Sequence, residues 1–221
     1  IDMKYKTCVS ITEKNPNKLN SVLKKALTKS EYAEIRLDFM KPSEIPIALQ
    51  NVEKKLSKCV CTLRPKNEGG KFSGSEKERI SILKLISEYN PFLLDIEFNT
   101  LKNNQKLREY VKKSKTVILV SWHDFTKTPN MKNLNSKLKD MKKLSNFVKI
   151  VTVAKSTNDT SRVLSLYNKS SKIKLIAFAM GEQASFSRIL CLYLGSPFTY
   201  VSLGKAIAPG QFSLNEMKTL V

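Results

Sequence analysis

Two side chains in this 221-residue sequence carry most of its chemical promise. The stretch NFVKIVTVA sets Lys149 among Phe147, Val148, Ile150, Val151 and Val153. The stretch VILVSWHDFTKTP brings an apolar run to His123, the single histidine of the chain. A lysine held in an apolar strand and near arginines has its neutral form favoured twice, by desolvation and by like charge. The neutral amine is the nucleophilic form, able to condense with a ketone into an imine. An imidazole, with an unperturbed pKa of about 6.5, moves protons in both directions near neutrality. Arg36, Arg64 and Arg188 add planar forks suited to a carboxylate. The combination points to imine chemistry on an anionic ketone. Lys155 shares the parity of Lys149 but follows the apolar run, beside Ser156, Thr157, Asn158 and Asp159, and reads as solvated.

Such groups need a frame, and the sequence supplies a periodic one. Short apolar, β-branched runs recur at residues 6–12, 32–38, 58–64, 92–98, 116–122, 146–154, 173–180 and 198–204. Helical spacing lies between them: Leu19, Val22, Leu23 and Ala26 fall on one face of NKLNSVLKKALTK. SEKERISILKLISEY opens with Ser75 and Glu78, a capping-box pattern, and MKNLNSKLKDMKKLS, NDTSRVLSLYNK and SLNEMKTLV read alike. Eight strands alternating with eight helical segments predict a (β/α)8 TIM barrel. A doubly wound open sheet competes, but no GxGxxG follows a strand. No linker rich in Pro, Gly or Ser divides residues 1–221, which read as one domain.

In a barrel, alternate strand residues point inward and sites form at the C-terminal strand ends. Glu34, Arg36 and Asp38 share one parity, as do Asp95 and Glu97, and Ser121 and His123. Arg64 ends its strand before the loop PKNEGGKFSGS, and Arg188 and Gln211 extend the set after the last two strands. Unpaired charges in a barrel mouth each cost several kcal/mol, so a purely structural barrel would carry Val, Ile and Leu instead. The polar set is expected to be an active site.

Composition narrows the alternatives. With 39 Lys and Arg against 19 Asp and Glu, the net charge of +20 raises nucleic acid as a partner. The lysines are nevertheless scattered, without an Arg-rich block or interleaved aromatics, so a small anionic substrate is the expected beneficiary of the field. Cys8, Cys59, Cys61 and Cys191 form no CxxC pair, and one histidine leaves no second imidazole for zinc, so no metal or other cofactor is expected. Buried, reduced thiols fit a cytoplasmic protein. No apolar run approaches the roughly 18 residues of a membrane span, and a signal peptide is not expected from the opening residues. The opening IDMKYK reads as a natural start at Met3.

The motifs EIRLD, TLRPKNEGG, LLDIE, SWHDFTKTP, VKI, MGEQASFSR and APGQ, in this order, resemble type I 3-dehydroquinate dehydratase along essentially the whole chain. The resemblance implies that Lys149 forms an imine with the ring ketone of 3-dehydroquinate. It implies that His123 serves as general base and acid, and that Glu68 orients His123. Arg188 would grip the substrate carboxylate, while Ser10, Glu34, Arg36, Arg64 and Gln211 would contact hydroxyls and carboxylate, and Met180 would pack on the ring. It also implies a homodimer. Two positions depart from the family pattern: Ala184 stands where glycine is frequent, and Ile207 where a serine or another small residue is frequent. A class I aldolase on the same barrel is the nearest competing enzyme. It calls for a glycine phosphate cradle that APGQ matches poorly. A basic barrel binding RNA competes from another class.

Overall fold

The computed structural model describes residues 5–221, so the reading of Met3 as the start lies outside the described residues. Eight strands appear at the eight predicted places: β1 (Thr7–Ile11), β2 (Tyr32–Arg36), β3 (Cys59–Thr62), β4 (Leu93–Glu97), β5 (Ile118–Asp124), β6 (Phe147–Val153), β7 (Lys174–Met180) and β8 (Thr199–Val201). Helices fill the intervals: α1 (Pro16–Leu27), α2 (Ile45–Val52), α3 (Glu76–Glu88), α4 (Phe98–Asn103), α5 (Gln105–Lys113), α6 (Met131–Lys142), α7 (Thr157–Leu164), α8 (Ser187–Tyr193) and α9 (Leu214–Leu220). The alternation is that of the (β/α)8 barrel. Eight helical segments were expected, and nine α-helices occur among the described residues. The interval after β4 holds two, broken at Asn104, whose side chain accepts the Leu107 N–H at 2.8 Å and starts α5 afresh.

Packing groups the chain into two compact units, residues 10–119 and the remaining described residues. In the first, β2, β3 and β4 are parallel neighbours, with Arg36 opposite Thr62 and Thr62 opposite Asp95. In the second, β6 pairs with β7, with Lys149 opposite Ile176, and β1 pairs with β8. Every residue of β1, β3 and β4 is buried, as parallel strands covered on both faces require.

Local chemistry sets the helix boundaries. In α1, Asn15 caps the Asn17 N–H, Pro16 takes the first turn, and Leu19, Leu23 and Ala26 form the buried face. In α3 the Ser75 hydroxyl accepts the Glu78 N–H at 3.1 Å, which supplies the expected cap. That helix also buries Arg79, which its spacing alone does not foretell.

Candidate active site

In the unit of residues 10–119, β2, β3 and β4 carry a connected polar network. Glu34 is buried, and its two oxygens accept one hydroxyl each, from Ser10 and Thr62, both at 2.8 Å. Arg36 is half-buried, and its fork is closed on Asp38 through Nε at 2.9 Å and Nη2 at 2.8 Å. Asp38 also accepts the Lys71 N–H at 3.0 Å, which ties the loop after β3 to the end of β2.

Arg64 lies just past β3 and donates to Asp95 through Nη2 and to Glu97 through Nη1, each at 2.7 Å. Its pKa is raised: burial opposes the charge, but Asp95, Glu97 and Glu68 together outweigh it. Glu68 is itself buried, in the short turn Lys66–Glu68. Gly70 makes this turn possible, because a Cβ there would stand 1.9 Å from the Arg64 carbonyl oxygen. A side chain at that position would force the loop, and Glu68 with it, off the strand end.

In the other unit, Lys149 comes from the middle of β6 and is buried. Its Nζ sits 4.9 Å from the centre of the Tyr200 ring on β8, a cation–π distance. Lys155, past the end of β6, is exposed as expected. Ser121 is buried and His123 half-buried at the C-terminal end of β5. The His123 ring stacks on Phe125 at 5.9 Å. Asp124 shapes the following turn by accepting the N–H groups of Thr126 and Lys127.

Arg188, in the first turn of α8, is buried and lies 4.3 Å over the Phe178 ring. Its Nη2 donates to the Pro209 carbonyl at 3.3 Å. Its Nε has no hydrogen-bond partner, and it makes no ion pair among the described residues. Burial pulls its pKa down to about 10. Arg64, by contrast, is bound to two carboxylates.

Gln211 is buried; its side-chain oxygen accepts the Ile207 N–H at 2.9 Å and so closes the loop before it. Gly210 stands at φ +70°, and a Cβ there would meet the Gly181 carbonyl oxygen at 2.7 Å, so only glycine fits. Met180, the last residue of β7, is buried. The two departures from the family pattern are accommodated locally. Ala184 is not among the residues with positive φ and needs no glycine. Ile207 takes part in its loop through the backbone, so no hydroxyl is needed to hold it.

Asp95 and Glu97, expected on one face, both meet Arg64, and Arg36 and Asp38, expected on another, pair with each other. The sequence reading passed over Thr62, Arg79, Phe178 and Tyr200. Their signals were weak: a hydroxyl, a helical arginine and two aromatics are ordinary in elements of this kind.

A family model for type I 3-dehydroquinase matches residues 7–221. A 3-dehydroquinate dehydratase of Methanococcus maripaludis is 35% identical over 219 residues, covering 97% of each chain. One of Dehalococcoides mccartyi is 39% identical over 198 residues, covering 87% of this chain and 86% of the relative. Among solved structures, the 3-dehydroquinate dehydratase of Aquifex aeolicus superimposes with a TM-score of 0.80 at 28% identity, covering 97% of this chain and 96% of that one. That of Geobacillus kaustophilus gives 0.87 at 20% identity, covering 99% and 90%, a likeness of fold.

Proposed function

The chain belongs to the type I 3-dehydroquinase family and dehydrates 3-dehydroquinate, a carbon–oxygen lyase reaction of the shikimate pathway, and from that premise we propose that Lys149 carries the reaction as an imine. The amine adds to the ring ketone and water leaves as the C=N bond forms. The protonated imine withdraws electrons from the neighbouring carbon and acidifies its C–H. His123 takes that proton, the electron pair closes a C=C bond, and the hydroxyl on the next carbon departs as His123 returns a proton to it. Hydrolysis of the imine then frees 3-dehydroshikimate and restores the amine.

One observation carries this reading: Lys149, in the middle of β6, is buried at 4% exposure, with its nitrogen 4.9 Å from the centre of the Tyr200 ring. The π face stabilises the cationic iminium that forms at that nitrogen. Arg188 is assigned to the substrate carboxylate, supported by its burial, its unpartnered Nε and the lack of an ion pair to it among the described residues. Glu34, with Ser10 held against it, Arg36, Arg64 and Gln211 are assigned to the remaining substrate oxygens, Met180 to the ring, and Glu68 to orienting His123. In this proposal residues 1–221 act as a single (β/α)8 domain.

The proposal also includes a cytoplasmic homodimer without a nucleic-acid partner. The four cysteines are buried thiols, as a reducing compartment permits. No helix among the described residues is long and apolar enough to cross a membrane. Phe186, Leu190, Tyr193 and Leu194 present an exposed apolar stripe on and beside α8, where a second copy could pack.

Treatment with borohydride in the presence of 3-dehydroquinate tests the central step. Peptide mapping by mass spectrometry is expected to find the reduced adduct on Lys149. An adduct on Lys155, or none, overturns the assignment.

A further inference from the structure

Arg79 has no part in the chemistry above, yet it is among the most deeply buried large side chains, at 1% exposure. All five of its N–H donors are used. Nε and Nη2 grip the two oxygens of Glu76 at 2.8 and 2.9 Å, and Nη2 also donates to the Thr100 hydroxyl at 2.6 Å. Nη1 donates to the Glu97 carboxylate at 2.7 Å and to the Leu63 carbonyl at 3.1 Å. One guanidinium therefore joins α3, the end of β3, the end of β4 and α4.

The last two of these contacts converge on a single neighbour. Leu63 precedes Arg64 in the chain, so its carbonyl fixes the backbone from which the Arg64 side chain springs. Glu97 holds Arg79 on Oε2 and Arg64 Nη1 on Oε1, so the same carboxylate that Arg79 pins also supports the Arg64 fork. Without Arg79, Glu97 would be free to rotate and draw both Arg64 nitrogens toward itself, and the buried Leu63 carbonyl would lose a donor. Both changes displace the Arg64 guanidinium.

We infer that Arg79 is a positioning residue for the reaction, acting on substrate through Arg64 by pinning Glu97 and the Leu63 carbonyl. This rests on the assignment of Arg64 to a substrate oxygen. A displacement of about 1 Å in a positioning group can lower turnover by roughly a hundredfold. The clamp accounts for the arginine buried on α3.

A double-mutant cycle on the full chain tests the inference, with kcat and KM for 3-dehydroquinate measured for Arg79→Gln, Arg64→Gln and the pair. Arg79→Gln is expected to lower kcat/KM by about tenfold to a hundredfold. In the Arg64→Gln background the same change should lower it by no more than about twofold. Arg79→Lys, which can still reach Glu97 as a point charge, should fall between native and Arg79→Gln. A lowered Tm with native kcat/KM in Arg79→Gln would make the residue purely structural and overturn the inference. Equal losses in both backgrounds would overturn it too. Should Arg79→Gln fail to fold, Arg79→Lys takes its place in the cycle, and a loss in kcat/KM that is the same in both backgrounds overturns the inference. Borohydride trapping on the same samples separates the two readings: a native chain without adduct removes the imine, while an adduct with uncoupled arginines removes only the role of Arg79.

Discussion

Arg188 and Arg64 are both buried arginines, and replacing each by methionine is expected to change stability in opposite directions. The pKa of Arg188 falls well below the ordinary arginine value, to about 10, chiefly through burial. At about 1.4 kcal/mol for each tenfold change, holding its charge in the empty protein costs roughly 3 kcal/mol. Because the folded value lies below the unfolded one, the penalty is present at all pH below about 10 and is relieved only as pH climbs from there toward the ordinary arginine value. Arg188→Met removes the charge and keeps a chain of similar length. The opposing losses are the stack on Phe178 at 4.3 Å, worth about 1–2 kcal/mol, and one long hydrogen bond to Pro209. The ligand-free variant should therefore be more stable by about 1–2 kcal/mol. Its kcat/KM should drop by about a hundredfold or more, as a substrate carboxylate left without its partner demands. Arg64→Met instead strips a buried cation from Asp95 and Glu97, both bound at 2.7 Å, and should lose about 3–5 kcal/mol. Urea unfolding of both variants without substrate, with steady-state kinetics alongside, reads the two signs directly. If both variants lose stability alike, or Arg188→Met keeps a native KM, Arg188 is not the open anion receptor.

Other outcomes follow from the same geometry. His123→Ala should still yield the borohydride adduct on Lys149 while turnover falls by about 10² to 10⁴, measured on the same sample; loss of the adduct with turnover would assign His123 to binding. Arg188→Lys should raise KM far more than it lowers Tm, because a point charge cannot reproduce the fork, and an unchanged KM would remove Arg188 from its role. Burial pushes the Cys59 thiol up to about 12 and Cys191 up to about 11, so iodoacetamide at neutral pH should label neither until denaturant is added. Their folded values lie above the unfolded 9.0, so the stability they lend is complete below about pH 9 and is lost as pH rises toward 11–12; Cys59→Ala should soften that alkaline loss in pH-dependent urea midpoints. Leu190→Glu places a charge in the exposed stripe beside Tyr193 and should halve the sedimenting mass if two copies meet there.

Much of the frame was readable directly from residue order. Burial on both faces of a parallel strand demands an unbroken apolar run, and such runs marked all eight strands to within a few residues. The period-two alternation on β2 and β4 forced Glu34 with Arg36, and Asp95 with Glu97, onto shared faces, and an amine inside NFVKIVTVA had to be buried. Those features depend on neighbours two to four positions away, which a sequence displays. The contrast between Arg188 and Arg64 does not: both are arginines on the C-terminal side of a strand, yet one meets two carboxylates 31 and 33 positions onward and the other meets an aromatic face and a carbonyl. The Tyr200 ring over Lys149 and the hold of Arg79 on Glu97 likewise join distant segments. Which charges are neutralised, and which are left open to a ligand, is a matter of how many opposite charges and donors end up within about 3 Å of each group. Residue order determined which side chains go inside, and tertiary packing decided what each one meets there.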